Sequence, residues 1–175
     1  NLVKDIRKNT EIPLLFLVYY NTILIYGKEK FIRTCEEIGV DGLIIPDLPL
    51  EERDELEKIM DYDKLCLIPL VAPTSKDRIR KIIDGCNGFV YCVSSLGVTG
   101  GKSNFYSDIQ SYLQDVKENS SLPIAVGFGI SCRDDIKRLE DHVDGVIVGS
   151  AIVREIKRSK GDVIVLKEYI ESLTK

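Results

Sequence analysis

The sequence is poor in the residues that build common catalytic and metal sites. It has no tryptophan, one methionine and one histidine, His142, among its 175 residues. A lone histidine beside Asp141, at the polar approach to a strand, argues against a Ser/His/Asp or Cys/His catalytic group and against a zinc site. We predict no metal site and place His142 in a surface loop.

Paired cysteine motifs are absent too. The cysteines stand singly, none in a Cys-x-x-Cys pair, and their number, five, is odd. Cysteines of this kind are typical of small core residues in a reducing compartment and not of a disulfide framework. They favour a cytoplasmic protein. The residues are Cys35, Cys66, Cys86, Cys92 and Cys132.

The chain also lacks a long apolar run and an excess of basic charge. The stretch from Ile12 to Ile25 is short and is interrupted by Tyr19-Tyr20-Asn21, which argues against a membrane span. The net charge is -4, with both signs mixed along the chain, so no basic stripe for nucleic acid is present. A composition of 44% hydrophobic and 30% charged residues predicts one globular domain over residues 1–175.

What the chain does have is a regular alternation of strand-like runs and amphipathic helical stretches. Two helix starts have the spacing of a capping box, Thr74 with Asp77 and Ser131 with Asp134. The alternation predicts six βα units, after an opening segment that resembles the tail of a helix. The predicted strands are Pro13 to Tyr19, Gly42 to Ile45, Leu65 to Leu70, Gly88 to Val93, Pro123 to Val126 and Gly145 to Val148. The predicted helices are Lys28 to Ile38, Glu51 to Met60, Lys76 to Asp84, Asn104 to Lys117, Cys132 to Leu139, Ala151 to Arg158 and Val163 to Leu173.

Two α/β architectures fit this alternation. A (β/α)₈ barrel needs eight strands and about 250 residues, so six units would be part of a barrel whose first strands precede Asn1. An open parallel sheet is the alternative, with ligands at the carboxyl ends of its strands in either case. Periodicity alone does not separate the two.

Two glycine turns follow the last two predicted strands. Gly127-Phe128-Gly129 and Val148-Gly149-Ser150 each lie where a strand runs into a helix. Glycine lets backbone amides approach an anion, and the helix N-terminus that follows supplies further donors. A tight strand-to-helix turn is the structural alternative for either one, but two on successive units indicate a phosphate site.

Asp47 is the carboxylate best placed for chemistry on sequence grounds. It follows the apolar run Gly42 to Ile45, where desolvation would tune a general acid or base. An Asp just before a helix is also a common loop or cap residue. The sequence favours neither the catalytic nor the structural role of Asp47 over the other.

Six segments, in order along nearly the whole chain, are similar to one known family, the tryptophan synthase alpha subunit. The segments with Pro69-Leu70-Val71-Ala72-Pro73-Thr74 and Ser94-Ser95-Leu96-Gly97-Val98-Thr99-Gly100 are specific to it, whereas the glycine turns recur in many phosphate-binding barrels. The other matching segments are Leu17 to Asn21, Ile45 to Pro49, Gly127 to Ser131 and Val148 to Val153.

The resemblance implies a (β/α)₈ TIM barrel, of which this chain supplies strands 3 to 8. It implies a lyase of tryptophan biosynthesis that cleaves indole-3-glycerol phosphate to indole and glyceraldehyde 3-phosphate. The implied partner is a beta subunit that takes the indole in a heterotetramer and holds pyridoxal phosphate. No cofactor is implied for this subunit.

The resemblance also implies roles for individual residues. Tyr19 and Tyr91 would line the indole pocket, Thr99 would belong to a closing loop, and Asn21, Asp47 and Pro49 would face the beta subunit. For Asp47 this favours partner signalling over acid catalysis. The implied phosphate ligands are Gly127, Phe128, Gly129, Gly149 and Ser150.

The two catalytic carboxylates of this family, a Glu and an Asp, match positions upstream of Asn1. We therefore expect no catalytic residue in this chain and negligible lyase activity from it alone, because the reaction needs acid and base steps. Two alternatives stay open. One is another phosphate-binding βα barrel, such as a pentose-phosphate epimerase; the other is a non-catalytic module that docks on a beta subunit.

Overall fold

The computed structural model describes residues 1–93, 102–127 and 129–174, apart from the side chains of Lys76 and of residues 102–108. Its Cα positions divide the chain into two compact units. The first comprises Asn1–Leu70 with Lys81–Phe89, and the second comprises Val71–Arg80 with Val90–Lys175. The expectation of one domain over residues 1–175 stays a prediction.

Helices and strands alternate through the described residues. The strands are β1 Leu15–Leu17, β2 Gly42–Ile44, β3 Cys66–Leu67, β4 Leu70–Val71, β5 Val90–Val93, β6 Ile124–Gly127 and β7 Gly145–Ile147. The helices are α1 Leu2–Arg7, α2 Tyr20–Tyr26, α3 Lys28–Ile38, α4 Leu50–Glu57, α5 Ile79–Ile83, α6 Lys102–Asn119, α7 Arg133–Lys137, α8 Ser150–Arg158 and α9 Val163–Thr174, with a 3-10 helix over Pro73–Arg78.

The strands form two sheets, ordered β1-β2-β3 and β4-β5-β6-β7. Among the described strands, β1 with β2, β2 with β3, β5 with β6 and β6 with β7 are parallel. Parallel strands with intervening helices confirm the predicted α/β class.

The structure corrects the region around the third predicted strand. The run from Leu65 to Leu70 is two short strands, β3 and β4, because Pro69 has no N–H to continue a ladder. The helix predicted from Lys76 is a 3-10 helix followed by the short α5. Thr74 therefore lies within the 3-10 helix and does not begin an α-helix; the turn here is closed by Ser75, whose Oγ accepts from the Ala72 amide at 3.0 Å.

Helix α2 is absent from the sequence prediction. Its residues are β-branched or aromatic apart from Asn21 and Leu24, a composition that favours strands. Tertiary contacts decide otherwise: Ile23 is fully buried, and the Tyr20 amide donates to Asp47 Oδ1 at 2.7 Å. A carboxylate at the first turn satisfies a helix donor that α2 itself cannot.

Each unit has its own apolar core. In the first unit, residues from β2, β3 and the facing helices form one buried cluster that includes Ile23, Ile32, Leu43, Leu56 and Leu67. In the second unit, alternate residues of β5 and β6 are buried, with the buried residues of α6; these residues are Val90, Cys92, Ile124, Val126, Ile109, Leu113 and Val116. The period of two along each strand is what a half-buried parallel strand requires.

The same Val-Asp-Gly sequence begins β2 and β7, with its glycine as the first strand residue, and its Asp makes the same contacts in both units. Asp41 Oδ2 accepts from the Leu14 amide at 2.6 Å, and the Asp41 amide donates to Leu14 O at 2.9 Å. Asp144 Oδ2 accepts from the Ile124 amide at 2.8 Å, and the Asp144 amide donates to Ile124 O at 2.9 Å. Each Asp thus joins the amino ends of two neighbouring strands and fixes their register. This repeat was not among the features predicted from the sequence.

In the first unit, Asp41 also binds an arginine from α1. The Arg7 guanidinium pairs with Asp41 and also donates to Gly39 O at 2.7 Å and to Ile12 O at 2.6 Å. Gly39 ends α3 with φ 80°, in the left-handed region that glycine occupies without strain. One arginine therefore ties α1, the end of α3 and the β1 approach to Asp41.

Asp41→Ala should lower the free energy of unfolding by about 1–3 kcal/mol, because it leaves the Leu14 amide and part of the Arg7 guanidinium without an acceptor. Urea denaturation measures this. The control is Asp5→Ala, which removes an exposed carboxylate paired with the exposed Lys8; it should change stability by less than about 0.5 kcal/mol. Equal effects of the two variants would show that the contacts of Asp41 with Leu14 and Arg7 do not stabilise the fold.

Candidate functional site

The carboxyl ends of β6 and β7 lie side by side. Gly127, the last residue of β6, is paired with Ile147, the last residue of β7. The turn through Gly129 and the turn through Gly149 therefore begin at neighbouring positions, at the edge formed by the carboxyl ends of the strands. This register brings together the two glycine turns that were predicted from the sequence to form a phosphate site.

Tyr91 covers the end of β6. It lies in β5 opposite Ala125, and a Cβ placed on Gly127 would overlap Tyr91 Oη and lie only 2.8 Å from its Cζ. Gly127 is thus required by close packing of the phenol on the strand backbone. Desolvation by burial raises the pKa of Tyr91, so its hydroxyl stays protonated as a donor at neutral pH.

The other two glycines face open space. A Cβ on Gly129 or Gly149 would meet no described atom within 4 Å, and Gly129 has φ 40°. Gly149 is the residue before α8, and both Gly149 and Ser150 are exposed. The first amides of a helix have no partner within the helix, so those of α8 point to this open edge and can bind an anion.

The start of α7 departs from the sequence prediction. Asp135, not Asp134, is the capping carboxylate, and Cys132 is the residue before the helix. Asp135 Oδ2 accepts from the Ser131 amide at 2.9 Å, from Ser131 Oγ at 3.2 Å and from the Cys132 amide at 3.1 Å. The predicted pairing was one residue out of register because the helix begins at Arg133. The signal was present as the Asp three residues after Cys132.

These contacts change the titration of Asp135. Desolvation by burial opposes ionisation, but the hydrogen bonds from Ser131 and Cys132 outweigh it and lower the pKa of Asp135 below its ordinary value. The ionised carboxylate therefore holds the turn that follows Gly129.

The first unit places its predicted residues at the ends of β1 and β2. Tyr19 directly precedes α2 and is 63% exposed, and Asn21 is exposed in the first turn of that helix. Asp47 is exposed and accepts the Tyr20 amide, so it caps α2 and not the helix that follows it in sequence. Pro49 is the residue before α4. The predictions for Thr99 and Phe128 fall outside the described residues.

A family model described as "Tryptophan synthase alpha chain" matches residues 1–174. The chain belongs to the tryptophan synthase alpha chain family. It is 45% identical to the tryptophan synthase alpha chain of Alkaliphilus metalliredigens and covers 98% of its own length and 66% of that relative. It is 48% identical to the one from Clostridium beijerinckii over 98% of this chain and 66% of the relative. The chain thus spans about two thirds of the length of these relatives.

Solved alpha subunits have the same fold. The subunit from Campylobacter jejuni superposes with a TM-score of 0.86 at 37% identity, over 98% of this chain and 69% of that one. An alpha subunit in a structure of the a2b2 complex from Pyrococcus furiosus gives a TM-score of 0.88 at 32% identity, over 99% and 71%. These likenesses confirm the TIM-barrel fold class predicted from the sequence.

The described residues show neither a metal-binding cluster nor a membrane-spanning helix. Within residues 1–93, 102–127 and 129–174, no group of three or more His, Cys, Asp and Glu side chains is arranged to hold a metal ion. No helix in the described part of the chain is long and apolar enough to cross a membrane.

Gly127→Ala should lower the free energy of unfolding by about 1–3 kcal/mol, because the new methyl group overlaps the Tyr91 phenol. Gly149→Ala is the matched control, since its methyl group meets open space, and it should cost less than about 1 kcal/mol. Thermal or urea unfolding gives both values. Adding Tyr91→Ala to Gly127→Ala should recover part of the loss; strict additivity of the two substitutions would refute the packing argument.

Asp135→Asn should destabilise the protein at neutral pH and much less in acid. A carboxyl whose folded pKa is lowered contributes stability above its unfolded pKa of about 4, and that stability is lost as the pH falls through the folded pKa. The stability difference between wild type and variant should therefore shrink from pH 7 to pH 3. Asp134→Asn is the control, because Asp134 is exposed and directly precedes Asp135. The same pH dependence in both variants would exclude a specific role of Asp135.

Proposed function

We propose that this chain carries the phosphate-binding and part of the indole-binding surface of a tryptophan synthase alpha subunit. Its substrate is indole-3-glycerol phosphate, cleaved by a retro-aldol step to indole and glyceraldehyde 3-phosphate. The part of this function that we assign to the 175 residues is substrate binding.

The pairing of Gly127 with Ile147 is the observation that carries this proposal. It supports the proposal because the end of β6 and the start of α8 lie at the same edge of the sheet, and in the proposal a phosphate binds there. The proposed ligands are Gly127, Phe128, Gly129, Gly149 and Ser150. Several charge-assisted hydrogen bonds of this kind, each worth about 1.5–3 kcal/mol, hold a phosphate without an arginine.

The proposed indole contacts are Tyr91, Tyr19 and, through the closing loop, Thr99. Tyr91 supports this role because its ring lies over Gly127, next to the phosphate turn, so substrate bound there meets an aromatic surface. Tyr19 follows β1 and exposes its ring, which makes it available to an aromatic ligand.

The proposed partner is a tryptophan synthase beta subunit, which consumes the indole and holds the pyridoxal phosphate of the complex. The alpha subunit itself holds no cofactor in this proposal. Support comes from the solved a2b2 complex of the P. furiosus relative. Asn21, Asp47 and Pro49 are the proposed contacts with the partner, and all three lie at the exposed ends of the first sheet's strands or beside them. A cytoplasmic location is part of the same proposal, supported by five cysteines that are free thiols.

Ser150→Glu tests the phosphate site. A carboxylate at the first position of α8 suits the helix dipole but repels an anion there, so the fold is retained while binding of indole-3-glycerol phosphate weakens by at least about tenfold. Calorimetric titration measures the affinity, and indole release measures turnover. Ser172→Glu, an exposed serine of α9 with the same change of net charge, is the control and should bind as wild type does.

The outcomes separate the parts of the proposal. Failure of the wild-type chain to bind indole-3-glycerol phosphate would overturn it, as would unchanged binding by Ser150→Glu.

A further inference from the structure

Two helices of the second unit bind the backbone of Ser131, which follows the turn through Gly129. The Ser131 amide donates to Asp135 Oδ2 of α7 at 2.9 Å, and the Ser131 carbonyl accepts from Tyr169 Oη at 2.8 Å. Tyr169 belongs to α9 and lies 38 positions further along the chain. The contact with Asp135 is local, whereas the contact with Tyr169 joins the turn to a separate helix.

The turn has a third anchor in the core. Ile130, between Gly129 and Ser131, is 2% exposed. Its buried side chain and the two backbone hydrogen bonds of Ser131 all act on the residues directly after Gly129. Glycine has more backbone conformations available than any other residue, and Gly129 has φ 40° with open space around its Cβ position. The three anchors therefore restrict the part of the turn that would otherwise move most freely.

The packing of α9 fixes the position of the Tyr169 hydroxyl. Leu173, one helical turn further along α9, is 5% exposed. Residues four apart lie on the same face of a helix, so Tyr169, which is half-buried, lies on the packed side of α9. Helix α9 packs against both α7 and α8, the helices that follow the two glycine turns. A contact from α9 to Ser131 thus relates the turn after β6 to α8.

We propose that Tyr169 is a positioning residue for phosphate binding, whose hydroxyl holds the turn after β6 in place by donating to Ser131 O. The inference rests on the proposed function, which assigns Gly127, Gly129 and the start of α8 to the phosphate. Ordering a flexible segment on binding lowers affinity, so backbone amides that are held in place beforehand bind an anion more tightly. Tyr169 acts through Ser131 and does not itself contact the substrate.

The test is Tyr169→Phe, which removes the hydroxyl and keeps the ring that packs with α9. We expect the variant to bind indole-3-glycerol phosphate and inorganic phosphate about fivefold more weakly than wild type, the scale of one neutral hydrogen bond. Binding of indole should stay within about twofold of wild type, because indole has no anionic group for the amides of the turn to bind. Titrations followed by NMR measure the three affinities. A hydroxyl with a merely structural role would not produce this selectivity for phosphate.

Tyr26→Phe is the matched control. It removes one hydroxyl from an exposed tyrosine of the first unit, and it should leave all three affinities at the wild-type value. Amide hydrogen exchange adds a readout that does not depend on ligand. The Ser131 amide should exchange about threefold faster or more in Tyr169→Phe and at the wild-type rate in Tyr26→Phe, because loss of one anchor raises the open population of the turn.

Each result supports or overturns the inference. Weaker binding of both ligands that carry phosphate, with indole binding retained, supports it. Equal loss for all three ligands shows a general loss of structure and overturns it, and so does unchanged phosphate affinity or unchanged Ser131 exchange in Tyr169→Phe. Failure of the wild-type chain to bind indole-3-glycerol phosphate overturns the proposed function and this inference with it, and the wild-type titration alone distinguishes that outcome from the others.

Discussion

The parallel register of neighbouring strands is the constraint on which both candidate sites depend. At the amino ends, Asp41 and Asp144 each bind the backbone of the adjacent strand and fix which residues pair. At the carboxyl ends, the same register determines what meets: Asp47 with Tyr20 in the first unit, and the two glycine turns in the second. A shift by one residue would move every strand side chain to the other face and separate these groups.

Helix starts in this protein are satisfied in several ways. Helix α2 takes its acceptor from Asp47, which lies on another strand end, and α7 is preceded by a turn held by Asp135. The N-terminus of α8 follows Gly149 and is left open. Unpaired amides at a helix start carry a free-energy cost unless water or a ligand binds them. The open start of α8 is the one that we assign to the proposed phosphate.

Much of the fold and of the site could be predicted from local patterns. Helix α3 and the starts of β2 and β7 lie where hydrophobic periodicity and turn-forming residues predict them. The family was identified from six segments in order along the chain. The misses have different causes. Helix α2 has residues that favour strands, and its first amide depends on a carboxylate 27 positions away. The separation of β3 from β4 depends on Pro69. The capping carboxylate at α7 is Asp135 because the helix begins at Arg133, one residue later than predicted.

The sequence by itself determined the α/β alternation, the family, and the glycines at two strand ends, because these depend on local residue chemistry and spacing. Tertiary structure alone decided that Gly127 must be glycine to admit the Tyr91 ring, that Asp47 caps α2, and that two Val-Asp-Gly segments hold strand registers. Each of these is a contact between residues distant in sequence. Such contacts form only when strand pairing brings the chain segments together, so no local pattern contains them.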